Sequence, residues 1–298
     1  MRSLKKITLL TILSLFLFAS CKKEGTANLE LRLNNLPYIG SAHFEGWLIV
    51  DNTPVSIGQF TTSNVNEDPG GDLLSFDVDK KTLKEATSFM VTIEKADNLT
   101  VGPSQFKFLA GDFKDNAVEL TTNHPNGVGV DLTFVKGAFW IGSPTDNSLE
   151  TNEKSGIWFY SNIGTAFPTL DLPELDNDWT YEAYLDNGCG TSLPIGKFEK
   201  VRGADDRNTF GDHAFLPGFP GEDFIRTSDE ILGTHYNFPV DVSNSHVIIS
   251  IAPKFGDAMA KTISILSIKL PENAQANEMI YLESKPADKF QYGTVVRN

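Results

Sequence analysis

Sulfur is scarce in this sequence. Its 298 residues hold two cysteines, Cys21 and Cys189. One thiol beyond Cys21 cannot close an internal disulfide, and no Cys-x-x-Cys pair exists for zinc or redox work. The five histidines are His43, His124, His213, His235 and His246. None lies at His-Glu-x-x-His spacing, which argues against a zinc protease. A Gly-x-Ser-x-Gly elbow, a phosphate loop and a dinucleotide fingerprint are all missing. No catalytic set, metal centre or cofactor is therefore expected. Cys189 sits in "NGCG" with no basic neighbour in sequence to lower its pKa, and reads as structural.

Long apolar runs are missing beyond the first 20 residues. The opening "MRSLKKITLLTILSLFLFASCKKEG" carries Arg2, Lys5 and Lys6, then an apolar stretch from Ile7 to Ala19, then Cys21. This is the layout of a secretory signal. A cysteine directly after small residues resembles a bacterial lipobox, with Phe18 where Leu is usual. The expectation is a signal peptide over 1–20, acylation at Cys21, and a tether over 21–27. The competing reading is an uncleaved anchor, although the stretch is short against the roughly 20 residues of a full span. More than one acyl chain makes such an anchor stable.

Positive charge is also sparse. Lys and Arg number 25 against 39 Asp and Glu, a net charge of −14. Without residues 1–20 the balance is 22 against 39, or −17. That argues against nucleic acid as a partner. The expected partners are the membrane, through acylated Cys21, and an envelope protein or a small ligand. The expected location is the cell envelope, lipid-anchored at the outer membrane or the periplasmic face, with the leaflet left open.

What is abundant is alternation. Leu29, Leu31 and Leu33 fall on one side of "NLELRLNNL"; Phe89, Val91 and Ile93 on one side of "SFMVTIEK"; Val247, Ile249 and Ile251 on one side of "HVIISIAP". Period-two patterns broken by Gly/Pro turns predict an all-β chain of sandwich-like domains. Only "DKKTLKEATSF" and "SDEILG" have the character of short helices.

The chain also repeats itself. "FEGWLIVDNTPVSIGQF" (44–60) is matched by "YEAYLDNGCGTSLPIGKF" (181–198) at an offset of 137 to 138. "FLAGDFKDNA" (108–117) is matched by "ILSIKLPENA" (265–274) at 157. Two tandem homologous β-sandwich-like units follow: unit 1 over 28–135, a linker or long loop over 136–155, and unit 2 over 156–298 with an inserted loop at 203–224. That loop is expected to be separable from the fold.

Several pieces, "FEGWLIVDNTPVSIGQF", "LAGDF", "NHP", "SPTDNSLETNEKSGIWFY", "LPELDNDWTYEAY" and "FPGEDF", resemble secreted two-unit β proteins of the anti-sigma factor domain-containing type. Those are named for the extracytoplasmic domain of sigma-K anti-sigma regulators. The resemblance implies the fold and an envelope location. It does not imply direct sigma-factor binding, which needs a cytoplasmic segment and a membrane-spanning helix.

Candidate binding residues come from two places. Glu45 with Trp47, and Glu182 with Tyr184, put a carboxylate beside an aromatic on one strand face. This is either a stacking platform with a polar handle or plain packing. Gly58 and Gly196 read as a turn or close packing. The loop "ADDRNTFGDHAFLPGFPGEDF" offers Asp205, Asp206, Asp212, His213, Glu222 and Asp223, as recognition groups, cation ligands or solvated acids. The functional expectation is a non-catalytic, lipid-anchored binding or signalling protein of the envelope. The alternative is a carbohydrate-active accessory protein or hydrolase using the acidic loop, and a third reading is a purely structural envelope component.

Overall fold

The computed structural model describes residues 25–61, 72–96, 101–146, 153–188, 190–212, 216–226, 236–254 and 262–298. The chain is all-β, as its alternation predicts. The strands of the first part are β1 (Thr26–Asn34), β2 (His43–Val50), β3 (Thr53–Phe60), β4 (Asp72–Asp79), β5 (Ser88–Glu94), β6 (Lys107–Asp112) and β7 (Ala117–Thr121). A middle group holds β8 (Lys136–Ile141), β9 (Gly156–Trp158), β10 (Tyr160–Ser161), β11 (Phe167–Pro168) and β12 (Leu170–Asp171). Then come β13 (Trp179–Asp186), β14 (Ser192–Phe198), β15 (Gly221–Asp223), β16 (His246–Pro253), β17 (Ile263–Lys269), β18 (Met279–Tyr281), β19 (Glu283–Ser284) and β20 (Tyr292–Arg297).

A six-residue helix, α1 (Lys80–Glu85), forms within "DKKTLKEATSF". Asp79 caps it by accepting from the Thr82 amide at 2.8 Å, which satisfies one of the unpaired donors of the first turn. The same bond lowers the Asp79 carboxyl below its ordinary pKa. "SDEILG" lies outside the described residues, as do Cys21, Cys189, His213 and His235.

Eight strands form the first sheet, in the order β3-β2-β5-β6-β7-β20-β1-β4. The β2–β3 hairpin closes on Asp51 and Asn52, both at positive φ (48° and 60°). This is the two-residue turn whose twist matches a hairpin, and short polar side chains tolerate it best. Leu29, Leu31 and Leu33 of β1 are fully buried, as are Phe89, Val91 and Ile93 of β5. A second sheet runs β12-β8-β9-β15, with β18 also on β8, and a third runs β14-β13-β16-β17-β19.

The first and third sheets share a pattern. The order β3-β2-β5-β6 corresponds to β14-β13-β16-β17. Register shifts fall between Gly46 and Trp47 on β2 and between Ala183 and Tyr184 on β13. They fall again between Val91 and Thr92 on β5 and between Ile249 and Ser250 on β16. Each pair is separated by nearly the sequence offset of the repeat.

The expected boundaries need correction in four places. Residues 26–27 are not tether: Thr26 pairs with Asp79 and Ala27 with Val78. Lys136–Ile141 is not linker: it is β8, with Phe139 and Ile141 fully buried. Unit 2 does not close on itself, because β20 lies between β1 and β7 in the first sheet. Val295 there fills the row between Leu31 and Val118, so the first sheet is completed by the last described strand. One contiguous apolar core runs through both parts, and Phe106 meets Trp179 edge-on at 6.4 Å across them. Finally, 203–224 is not a separable loop, since it contributes β15 and the buried Phe210.

Candidate functional site

The two acid–aromatic pairs occupy equivalent strand positions and do different things. On β13, Glu182 is buried. Its Oε1 meets Lys197 Nζ at 3.0 Å, and its Oε2 accepts from the Tyr184 hydroxyl at 2.5 Å. On β2, Glu45 accepts from Ser56 Oγ at 2.5 Å and from Gln59 Nε2 at 3.3 Å. Trp47 does not touch Glu45 through its indole N–H, which instead goes to Thr92 Oγ1 at 2.9 Å. The Thr92 hydroxyl donates on to Glu94, and Glu94 accepts the Ser104 amide at 2.8 Å. The Trp47 ring is buried on Met90 and Ala110. Neither aromatic therefore presents an open stacking face. Glu45, Trp47 and Glu94 do line a small hollow of about 230 Å³.

The acids of the 203–224 segment split into two groups. Asp206 and Asp212 are exposed, and Asp212 pairs loosely with Arg226 at 3.4 Å. Asp205, Glu222 and Asp223 turn inward. Asp223 Oδ1 accepts from Trp158 Nε1 at 2.5 Å, and Oδ2 accepts from both the amide and the hydroxyl of Thr145 at 2.7 and 2.6 Å. Glu222 accepts the amides of Thr209 at 2.7 Å and Asp223 at 3.1 Å. Asp205 accepts the amides of Arg207 at 2.8 Å and Gly221 at 2.7 Å. Burial pushes these carboxyls up, Asp205 to about 7, Glu222 to about 8 and Asp223 to about 6; backbone amides pull Asp205 and Glu222 part of the way back, and the Thr145 hydroxyl and Trp158 indole do so for Asp223. Among the described residues, no group of three His, Cys, Asp or Glu side chains is placed to hold a metal ion.

These three carboxyls thus satisfy backbone donors that would otherwise be buried and unpaired. Asp205 and Glu222 tie 203–224 to itself, and Asp223 staples it to Trp158 of β9 and to the turn around Thr145, which explains why the segment is not separable.

The larger cavity, about 550 Å³, opens at the ends of β14, β13 and β16. Thr180 and Phe198 form its floor, and Lys197, Lys200, Arg202 and Lys254 stand around it with Glu199, Asp205 and Asp206. Lys254 pairs with Glu199 at 2.6 Å. The Arg202 guanidinium lies over the Phe219 ring at 5.9 Å. Phe219 stacks on Tyr160 at 5.0 Å, within an aromatic cluster that includes Trp140 and Trp158.

Of the sequence candidates, the cleft gathers Asp205 and Asp206 on its wall and Glu182 behind it through Lys197. Glu45 and Trp47 are on the first sheet, and His213 lies outside the described residues. The four cations were not among the candidates. The signal for three of them is "GKFEKVR" (196–202), a local excess of basic residues in an acidic chain; Lys254 comes from a different stretch.

No helix among the described residues is long and apolar enough to cross a membrane. No family model matches the chain, and neither a curated protein nor a solved structure matches it.

Proposed function

We propose that the chain is a lipid-tethered binding protein of the cell envelope that holds its ligand in the cleft at the ends of β14, β13 and β16 and carries out no chemistry on it. One observation carries this reading. The buried carboxyls that a hydrolase would need as free acid and base are already engaged by backbone amides, whereas the cleft beside them is open and charged. A hydrolytic use of the acidic segment is correspondingly disfavoured.

The tether rests on the lipobox-like sequence around Cys21, and the likeness to anti-sigma factor domain-containing proteins fits the same location. We also propose that the first and third sheets descend from one duplicated unit. Their common strand order and paired register shifts support it. Fractionation of cells producing the chain tests the tether: Cys21→Ala should move the protein from the membrane to the soluble fraction. Retention of the variant on membranes would overturn it. Retention of the soluble variant by washed envelope fractions tests binding, which saturates on this reading. Non-saturating or absent retention contradicts it.

A further inference from the structure

We propose that the cleft is an oxyanion site, in which Lys200 and Arg202 grip a sulfate, phosphate or carboxylate group carried by a small polar ligand. The inference rests on the binding reading of the same cleft and names the ligand chemistry.

Four cations converge on one cavity of a chain whose net charge is −14. Clustering against that background is the electrostatic signature of a site that attracts anions. The carboxylates around the cavity are largely committed. Glu199 is taken by Lys254, Asp206 Oδ1 accepts the Lys197 amide at 2.6 Å, and Asp205 accepts two amides. Lys197 is held by the buried Glu182. Lys200 and Arg202 remain: among the described residues neither has a carboxylate partner.

Arg202 is also positioned. Its guanidinium rests over Phe219, which is itself stacked on Tyr160. A planar fork fixed on an aromatic face loses less freedom when it takes an oxyanion through two N–H groups. Burial raises the Asp205 carboxyl on the wall to about 7, so near neutral pH it carries less than a full negative charge. The volume is within the ~300–1,000 Å³ range of small-ligand sites, which suits a phosphorylated, sulfated or carboxylated sugar, or one lipid headgroup.

The test uses the soluble Cys21→Ala chain and a second form that adds Lys200→Ala and Arg202→Ala. Both side chains lie on the surface, so the second form should fold, and its unfolding midpoint without ligand checks this. Inorganic sulfate, inorganic phosphate and glucuronate are titrated by calorimetry, with glucose as the neutral control. Vesicles of phosphatidylglycerol or phosphatidylcholine form a separate arm. Saturable binding of one or more anionic probes, weakened at least tenfold in the second form and by added salt, is expected. Selective binding to phosphatidylglycerol vesicles, lost in the second form, would identify a lipid headgroup as the anion's source. Equal binding of an anion by both forms overturns the inference, as does failure of every anionic probe to bind. If envelope fractions still retain the soluble chain in that case, the binding reading stands and only the oxyanion assignment falls.

Discussion

The carboxyl of Asp205 occupies the space that a side chain at residue 196 would need. A Cβ on Gly196 would lie 2.3 Å from Asp205 Cγ. The space left by the missing side chain lets Asp205 sit where it receives the Gly221 amide. Gly196→Ala should therefore push Asp205 away and cost roughly 1–3 kcal/mol, as overpacking does. Urea unfolding checks this. Adding Asp205→Ala should recover part of the loss, because the two positions compete for one volume.

Stability should fall as pH rises through the range in which the buried acids stay protonated only when folded. Asp205, Glu222 and Asp223 have folded pKa values raised to about 7, 8 and 6. Below about pH 4 both states hold these protons. Above it the unfolded chain releases them first, so folding takes up protons and each group weakens the fold by up to about 1.4 kcal/mol per pH unit. The effect ends above each folded pKa. Unfolding free energies from pH 4.5 to 8.5 should decline, and Glu222→Gln should flatten the upper part of the curve.

Asp223→Asn should destabilise by about 1–3 kcal/mol. Donors approach both carboxylate oxygens, Trp158 on one and Thr145 on the other. An amide offers one acceptor and turns an N–H₂ group toward the second donor. Thermal unfolding should show a drop of several degrees, whereas Asp212→Asn on the exposed flank should change little.

Lys197→Met should cost about 2 kcal/mol by leaving Glu182 buried without its cation. This falls below the about 3–5 kcal/mol of a fully buried pair, because the Lys197 side chain is still 22% exposed. Glu182→Gln in the same chain should restore most of the loss, since Tyr184 can still donate to the amide oxygen. Denaturant midpoints of the four combinations provide the check.

Much of the fold was legible in local pattern. Val247, Ile249 and Ile251 alternate in sequence and are fully buried in β16, and the short helix α1 forms within "DKKTLKEATSF" as expected. The register shifts beside Trp47 and Tyr184 fall at matched positions of the two similar stretches, but no residue there announces them. The return of β20 to the first sheet was not legible either. It pairs with β1 across more than 250 residues, and "YGTVVR" carries no sign of which edge it completes. The role of Glu222 and Asp223 was hidden for a related reason. Acids in a Gly/Pro-rich stretch look solvated, but Glu222 takes amides of its own segment, and Asp223 takes an indole and Thr145 from elsewhere, the latter 78 residues away. Lys200 and Arg202 read as ordinary surface charge until the cavity brings them beside Lys254.

Hydrogen exchange at the amides of Thr145, Arg207, Thr209 and Gly221 tests most directly whether the acidic segment is framework, leaving the cleft beside it to bind. These four donate to Asp223, Asp205, Glu222 and Asp205 respectively. Protection close to that of β13 amides is predicted, with loss at Thr145 in Asp223→Asn. Exchange at the rate of an open loop would contradict the account.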